Sequence, residues 1–424
     1  MGAIRRYAAV WRLPGAPTLL TAGIFGRLGV GMTPLALLLA IENVTHRYAL
    51  AAVASGLYAI ASAVFSPIAG RIADRVGPTP VLLVTAVAHP LALGVLVLAA
   101  RSGAGALPVI YGAAAVAGAT FPPLAAAVRG AWHDLTAPAT GRYELRQTAL
   151  AADTVLFELV FVIGPLLVAA FVFIADAATA LLGAGVVTFV GTTVVALGRA
   201  MRAWRPHPRE ARASGLGPLT VAGFPTLLFC AAGLGVAFGV GEVTVPAFAG
   251  THRPDNAEST ASVLLAIWST GSAIGGFWFG ARATSRNAPR EFAALLAGVA
   301  ASFTVNAFMP NPVALGLALV IGGAVIAPAL TLENSLVGRI APASMLNEAY
   351  TWVVTVTVAA SAGGAALAGL LADQPGGVRW AFMIGAIAVA IPAVVAGLPR
   401  GPIARADARA ARAMERELTE SIAR

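Results

Sequence analysis

The sequence predicts an all-α polytopic membrane protein with twelve transmembrane helices in two six-helix bundles. Three observations lead there. The 424-residue chain is 58% hydrophobic and 11% charged, with a mean hydropathy of +0.82, whereas a soluble domain carries about 25% charged residues. Its apolar residues gather in runs of the length a helix needs to cross about 30 Å of hydrocarbon, roughly twenty residues. Its arginines lie between those runs and are dense in every second gap, the asymmetry that fixes orientation in a membrane.

The runs are expected at 17–40, 49–70, 79–100, 104–128, 147–174, 177–198, 218–249, 259–280, 291–309, 312–336, 345–370 and 378–398. Forty-six glycines and 27 prolines are compatible with such helices, since glycine lets backbones approach and buried partners satisfy freed carbonyls. With the N-terminus inside, 23 of the 28 arginines fall on the cytoplasmic side, Arg5, Arg6, Arg12, Arg71, Arg75 and Arg339 among them. Only Arg47, Arg101, Arg253 and Arg379 fall outside, and Arg27 lies within a run. An even helix count with both termini cytoplasmic follows.

Residues 199–217 are rich in Arg and Pro and have no apolar run, so they read as a cytoplasmic linker. The expected organisation is a bundle over 1–198, the linker, a second bundle over 218–398 and a cytoplasmic tail over 399–424. A faint repeat agrees: Thr18-Leu19-Leu20 matches Thr226-Leu227-Leu228, and the same offset places Gly31 opposite Gly239. Such duplicated halves are a common transporter plan. The tail from Arg405 alternates Arg, Ala and Glu at helical spacing, which suits either the anionic leaflet or plain solvent.

Other function classes find little support. The net charge of +9 is spread around apolar runs rather than gathered in a patch, which argues against a nucleic-acid partner. Cys230 stands alone, so neither a disulfide framework nor a thiolate metal site is expected. The N-terminus lacks a cleavable signal pattern. There is no nucleophile elbow, phosphate-binding loop or zinc-protease motif, so no enzyme activity, cofactor or metal is expected.

The segment Gly70-Arg71-Ile72-Ala73-Asp74-Arg75-Val76-Gly77 between the second and third runs resembles the signature loop of the major facilitator superfamily, where Gly, Asp-Arg and Gly recur at this spacing. Pro78 and Thr79 replace the family's usual basic pair, and the equivalent segment of the second half, Gly280 to Arg286, has no Asp. The resemblance implies a bacterial inner-membrane transporter of a small solute, functional as a monomer in contact with lipids, with Gly70, Asp74, Arg75 and Gly77 as a gate latch. Asp74 can accept from helix-terminal N–H groups, and Arg75 can reach a carboxylate or lipid phosphate; a solvated turn is the bland alternative. Gly164-Pro165 partly matches an exporter-associated motif, with Val160 where the family has Gly, and is expected to loosen the fifth helix.

Ionisable residues within the runs mark functional positions, because each is costly in hydrocarbon. Arg27 and Glu158 lie at similar depth and form a candidate pair, structural or functional. Asp153 is displaced from Glu158 by about 140° around the helix. Glu242 has no cation in its own run, which makes it the first candidate for a proton carrier, with Glu158 second; an outer-surface carboxylate is the alternative. Glu333, Arg339 and Glu348 are expected to form a cytoplasmic ion-pair network. Family architecture places Tyr111, Phe121, Phe238 and Asn334 on the cavity, with Trp268 and Trp352 as aromatic walls. The expected function is proton-coupled efflux of a hydrophobic or amphipathic solute; uptake of a metabolite and a non-transporting sensor remain open.

Overall fold

A computed structural model describes residues 3–45, 48–204, 217–282, 287–372 and 374–423. Arg205, Arg209 and Arg212 of the linker, together with Arg47, Arg286 and the rest of 283–286, lie outside the described residues. The chain begins with a short helix, α1 (Ala3–Trp11), followed by α2 (Ala16–Thr45), α3 (Tyr48–Val76), α4 (Pro78–Arg101), α5 (Leu107–Ala119), α6 (Leu124–Leu135), α7 (Arg146–Ile174) and α8 (Ala177–Ala196). After the one-turn α9 (Arg199–Arg202) come α10 (Phe224–His252), α11 (Ala257–Gly280), α12 (Ala288–Asn306), α13 (Pro312–Gly323), α14 (Ile326–Ile340), α15 (Leu346–Ala372), α16 (Gly377–Gly397) and α17 (Pro402–Ala423).

Among the described residues, eleven spans are long and apolar enough to cross a membrane, one fewer than expected. The ninth expected run, 291–309, exists as α12, 19 residues long, but Arg290 and Glu291 in its first turn pull its hydropathy below that of the others. The fourth and tenth runs, expected as single helices, are each built from two pieces. Between α5 and α6 stand Pro122 and Pro123, which supply no N–H to the preceding turn. Between α13 and α14 the helix passes through Ala324 and Val325, with Pro328 in the next turn. By contrast, Pro165 is accommodated within the uninterrupted α7. Helix starts follow side-chain chemistry: Asp176, Asn287 and Asn311 accept from the backbone N–H groups of Thr179, Arg290 and Ala314, satisfying orphan donors. The Thr179 hydroxyl and amide hold the Asp176 carboxyl below its usual range.

The helices pack as two pseudo-symmetric groups, α2 to α8 and α10 to α16, with the same pairings in each. The first helix packs on the fifth and sixth (α2 on α7 and α8, α10 on α15 and α16), the second on the fourth, and the third on the sixth. Gly31 and Gly239 share this role. A Cβ at Gly31 would strike the Val160 carbonyl of α7, and one at Gly239 the Ser361 carbonyl of α15. Gly164 completes the first contact, where a Cβ would lie 2.8 Å from the Gly31 Cα. In lipid, where apolar burial between helices gains little, this backbone approach is what holds helices together. The groups meet through α3 with α15 and α7 with α11, toward the end that carries α1 and α17. On that end α17 buries Ile403, and Asp407 pairs with Arg339 at 2.7 Å.

Candidate functional site

A cluster of polar contacts between the groups is built on the Gly70–Gly77 segment. Asp74, in the last turn of α3, accepts from the Asn347 backbone N–H (2.9 Å) and side-chain amide (2.8 Å) with one oxygen, and from the Glu348 N–H (2.8 Å) with the other. Asn347 and Glu348 lie in the first turn of α15, whose N–H groups have no intrahelical acceptor. Asp74 therefore caps a helix of the opposite group, placing negative charge where the helix dipole favours it. Arg71, one turn earlier, grips Glu348 through Nε (3.0 Å) and Nη2 (2.6 Å), the two-pronged geometry that suits guanidinium and carboxylate. Gly70 makes room, since a Cβ there would lie 2.6 Å from the Thr351 hydroxyl and 2.9 Å from the Asn347 carbonyl. Gly77, at φ 99°, turns the chain into α4. Arg75 is exposed and makes no ion pair among the described residues; the bridging expected of it falls to Arg71.

The other end of this closure mirrors it. Carbonyls in the last turn of α11 are satisfied from α7, where Gln147 Nε2 donates to Phe279 (2.9 Å) and the Thr148 hydroxyl to Gly280 (2.6 Å). Deeper, Ser272 of α11 donates its hydroxyl to Glu158 of α7 (2.7 Å) and accepts from the Ala327 N–H at the start of α14 (3.2 Å). The Thr355 hydroxyl of α15 reaches the Ala63 carbonyl of α3 at 3.1 Å. The cross-group hydrogen bonds and ion pairs named here all lie between that level and the end carrying α1 and α17. Farther out, Gly56 of α3 and Gly363 of α15 have no heavy atom within 4 Å of where a Cβ would stand.

The expected Arg27–Glu158 pair does not form. Arg27 donates to Asp153 at 2.8 Å, both side chains being 3% exposed, and Arg129 approaches the second Asp153 oxygen at 3.7 Å. The reason lies in the placement of α7 between α2 and α11. Carboxylates 140° apart on it must serve different neighbours, so Asp153 faces the arginines and Glu158 the other group. Both guanidinium groups lie over the Phe157 ring, at 5.6 and 5.8 Å, which supports charges held out of water. The expected Glu333–Arg339–Glu348 network is likewise divided. Glu348 pairs with Arg71 and Arg339 with Asp407, while Glu333 is buried with its Oε1 unpartnered. Arg339 is six residues after Glu333, which sets the two about 120° apart around α14.

Glu242 is exposed. It stands on α10, which packs against α11, α15 and α16. Trp268 packs against Gly241, Gly323 and Phe303, and Trp352 is half-buried with an unpartnered Nε1. Asn334 is buried, with its amide donating to the Leu330 carbonyl within its own helix. Phe121 packs edge-on to His89 and Tyr58, and Tyr111 donates to the Leu50 carbonyl, so both serve their own group. Sequence reasoning missed Arg71, Arg129, Ser272, Asn347 and α1. An acceptor in one half capping a helix in the other leaves no local spacing signal.

No curated protein sequence matches the chain. Solved structures with similar folds include a bacterial homologue of the iron transporter ferroportin in an outward-facing state, 14% identical, with a TM-score of 0.73 over 90% of this chain and 98% of that one. The human organic anion transporter TETRAN is 15% identical, with a TM-score of 0.68 over 89% and 98%. The Escherichia coli fucose:proton symporter FucP is 12% identical, with a TM-score of 0.69 over 90% and 97%. At such identities the likeness speaks for the fold alone. The sequence profile of the Major Facilitator Superfamily matches residues 19–310, more than half of the chain, and with the two-group architecture this establishes that the chain belongs to the Major Facilitator Superfamily, a family of secondary transporters.

Proposed function

We propose that the protein is a proton-coupled exporter of a small hydrophobic or amphipathic solute in the bacterial inner membrane. It works by alternating access between two six-helix bundles, with α12 as one of twelve crossings and both termini in the cytoplasm. The observation that carries this reading is the one-ended closure: Asp74 and Arg71 hold the first turn of α15, while Gly56 and Gly363 face open space beyond. With the arginine-rich end in the cytoplasm, the described conformation is outward-facing. Rocking of the bundles would release the Asp74 cap and expose the interior to the other side.

Glu158 becomes the first candidate for proton coupling and Glu242 the second. Among the described residues Glu158 has no arginine partner to hold it charged, and its bond with Ser272 crosses between the bundles. Opening at the closed end breaks that bond, so the carboxylate changes surroundings in step with the cycle. Glu242 faces the same interior but keeps its place on α10 throughout. The buried Arg27–Asp153–Arg129 cluster supports the first bundle. The test is solute-driven proton flux in reconstituted vesicles, wild type against Glu158→Gln and Glu242→Gln. Glu158→Gln should bind solute yet lose proton-driven accumulation. Unchanged accumulation and pH dependence in both variants would remove the proton from the reading, and the sign of the flux separates export from uptake.

A further inference from the structure

The short helix α1 is bound to both bundles. It continues into the membrane span α2 after only four residues, and Val10 and Leu13 are buried in the first bundle. From its other side Tyr7 reaches the second bundle. Its ring stacks on Phe277 of α11, with centroids 4.7 Å apart and planes 3° from parallel, and its hydroxyl donates to the Phe277 carbonyl at 2.9 Å. Burial pushes the Tyr7 phenol up to about 12, so it remains a donor. Beside it Arg6 Nη1 donates to the Arg282 carbonyl at 3.1 Å. Such contacts exist only while this end is closed.

The clasp brings like charges together. Arg5 and Arg6 come from the first bundle and Arg282 from the second, where Glu291 lies 3.5 Å from the half-exposed Arg282. Arg6 Nε is buried without a hydrogen-bond partner among the described residues. Closure thus gathers positive charge that opening would disperse, and an anion at this edge would favour closure by relieving it. The surroundings favour a lipid over a free ion. Ile4, Arg5, Ala8, Trp11 and Arg12 form the exposed face of α1, with Ile4 82% exposed, and Trp278 beside Arg282 is 61% exposed. Tryptophan and arginine beside exposed aliphatic surface, at the mouth of a membrane span, are the chemistry of the headgroup layer.

We propose that an anionic phospholipid headgroup of the cytoplasmic leaflet binds across Arg5, Arg6 and Arg282, joining α1 to α11 and stabilising the closed end. The measurement is the separation of spin labels at Thr140→Cys and Arg290→Cys in a Cys230→Ala background. Vesicles of phosphatidylcholine alone are compared with the same lipid carrying roughly one-third phosphatidylglycerol. The ratio of closed to open populations should rise in the anionic vesicles by up to about fivefold for each arginine engaged. The double variant R5Q/R6Q should lose that response; its closure in neutral vesicles, where relief of repulsion opposes loss of the Arg6–Arg282 hydrogen bond, serves as its own baseline. R282Q should lose the response as well. Equal wild-type populations in the two lipids would overturn the proposal, as would a full response in R5Q/R6Q. A full response in R282Q would reduce α1 to a plain membrane anchor and overturn the bridge. Inorganic phosphate reproducing the shift in neutral vesicles would overturn the assignment to lipid.

Discussion

Replacing Asp74 by Asn changes one atom and tests the closure directly. The carboxylate accepts three hydrogen bonds from Asn347 and Glu348. An Asn can keep its oxygen toward Asn347, but its amide then points a donor at the Glu348 N–H. One charge-assisted bond is lost, worth about 1.5–3 kcal/mol, together with a charge at a helix N-terminus worth about 0.3–1 kcal/mol. Water reaches this half-buried site and replaces part of the loss, so about 2 kcal/mol is a reasonable net value. That corresponds to roughly a 30-fold shift of the closed-to-open ratio toward opening of this end. The assay is the spin-label separation across that end, with transport in the same vesicles and expression level as a check on folding. D74N with a wild-type distance distribution and wild-type transport would refute the capping argument, whatever the spacing of the loop suggests.

Other expectations follow from the same geometry. Gly70→Ala sets a Cβ against the α15 backbone, and overpacking of about 1–3 kcal/mol should open the same end in the same distance measurement while insertion is preserved. Arg71→Lys keeps the charge but not the two-pronged grip on Glu348, so a smaller shift than D74N is expected. Asp153→Ala leaves Arg27 and Arg129 buried without their carboxylate and should lower thermal stability in detergent by about 3–5 kcal/mol; Glu158→Gln should leave it nearly unchanged. Equal melting of the two variants would contradict the division of roles on α7.

The spans were largely legible because apolar length is a local property. The run expected at 147–174 is α7, Arg146–Ile174, and that at 378–398 is α16, Gly377–Gly397. The Asp74 segment was legible as a motif, but the helix it caps was not, since Asn347 lies 273 residues away and a trans contact has no period. Arg27 was assigned the wrong carboxylate for a related reason. Depth along a helix can be counted from the sequence, whereas the neighbour each face meets depends on where α7 sits between α2 and α11. Helix α1 has only nine residues, too short for a membrane signal, and its role arises from a stack on a residue of the opposite half.

The borrowed cap on α15 sets a limit on how firmly the protein can hold one state. When the end opens, the Asn347 and Glu348 amides do not become orphans, because water entering the mouth takes over as acceptor. The cap is therefore worth only the difference between a carboxylate and water as ligand for the same two N–H groups. A hydrophobic seal of equal extent would resist opening far more. A machine that must reverse itself many times a second is better served by joints that solvent can substitute, and those two amides should trade deuterium with solvent in step with its turnover.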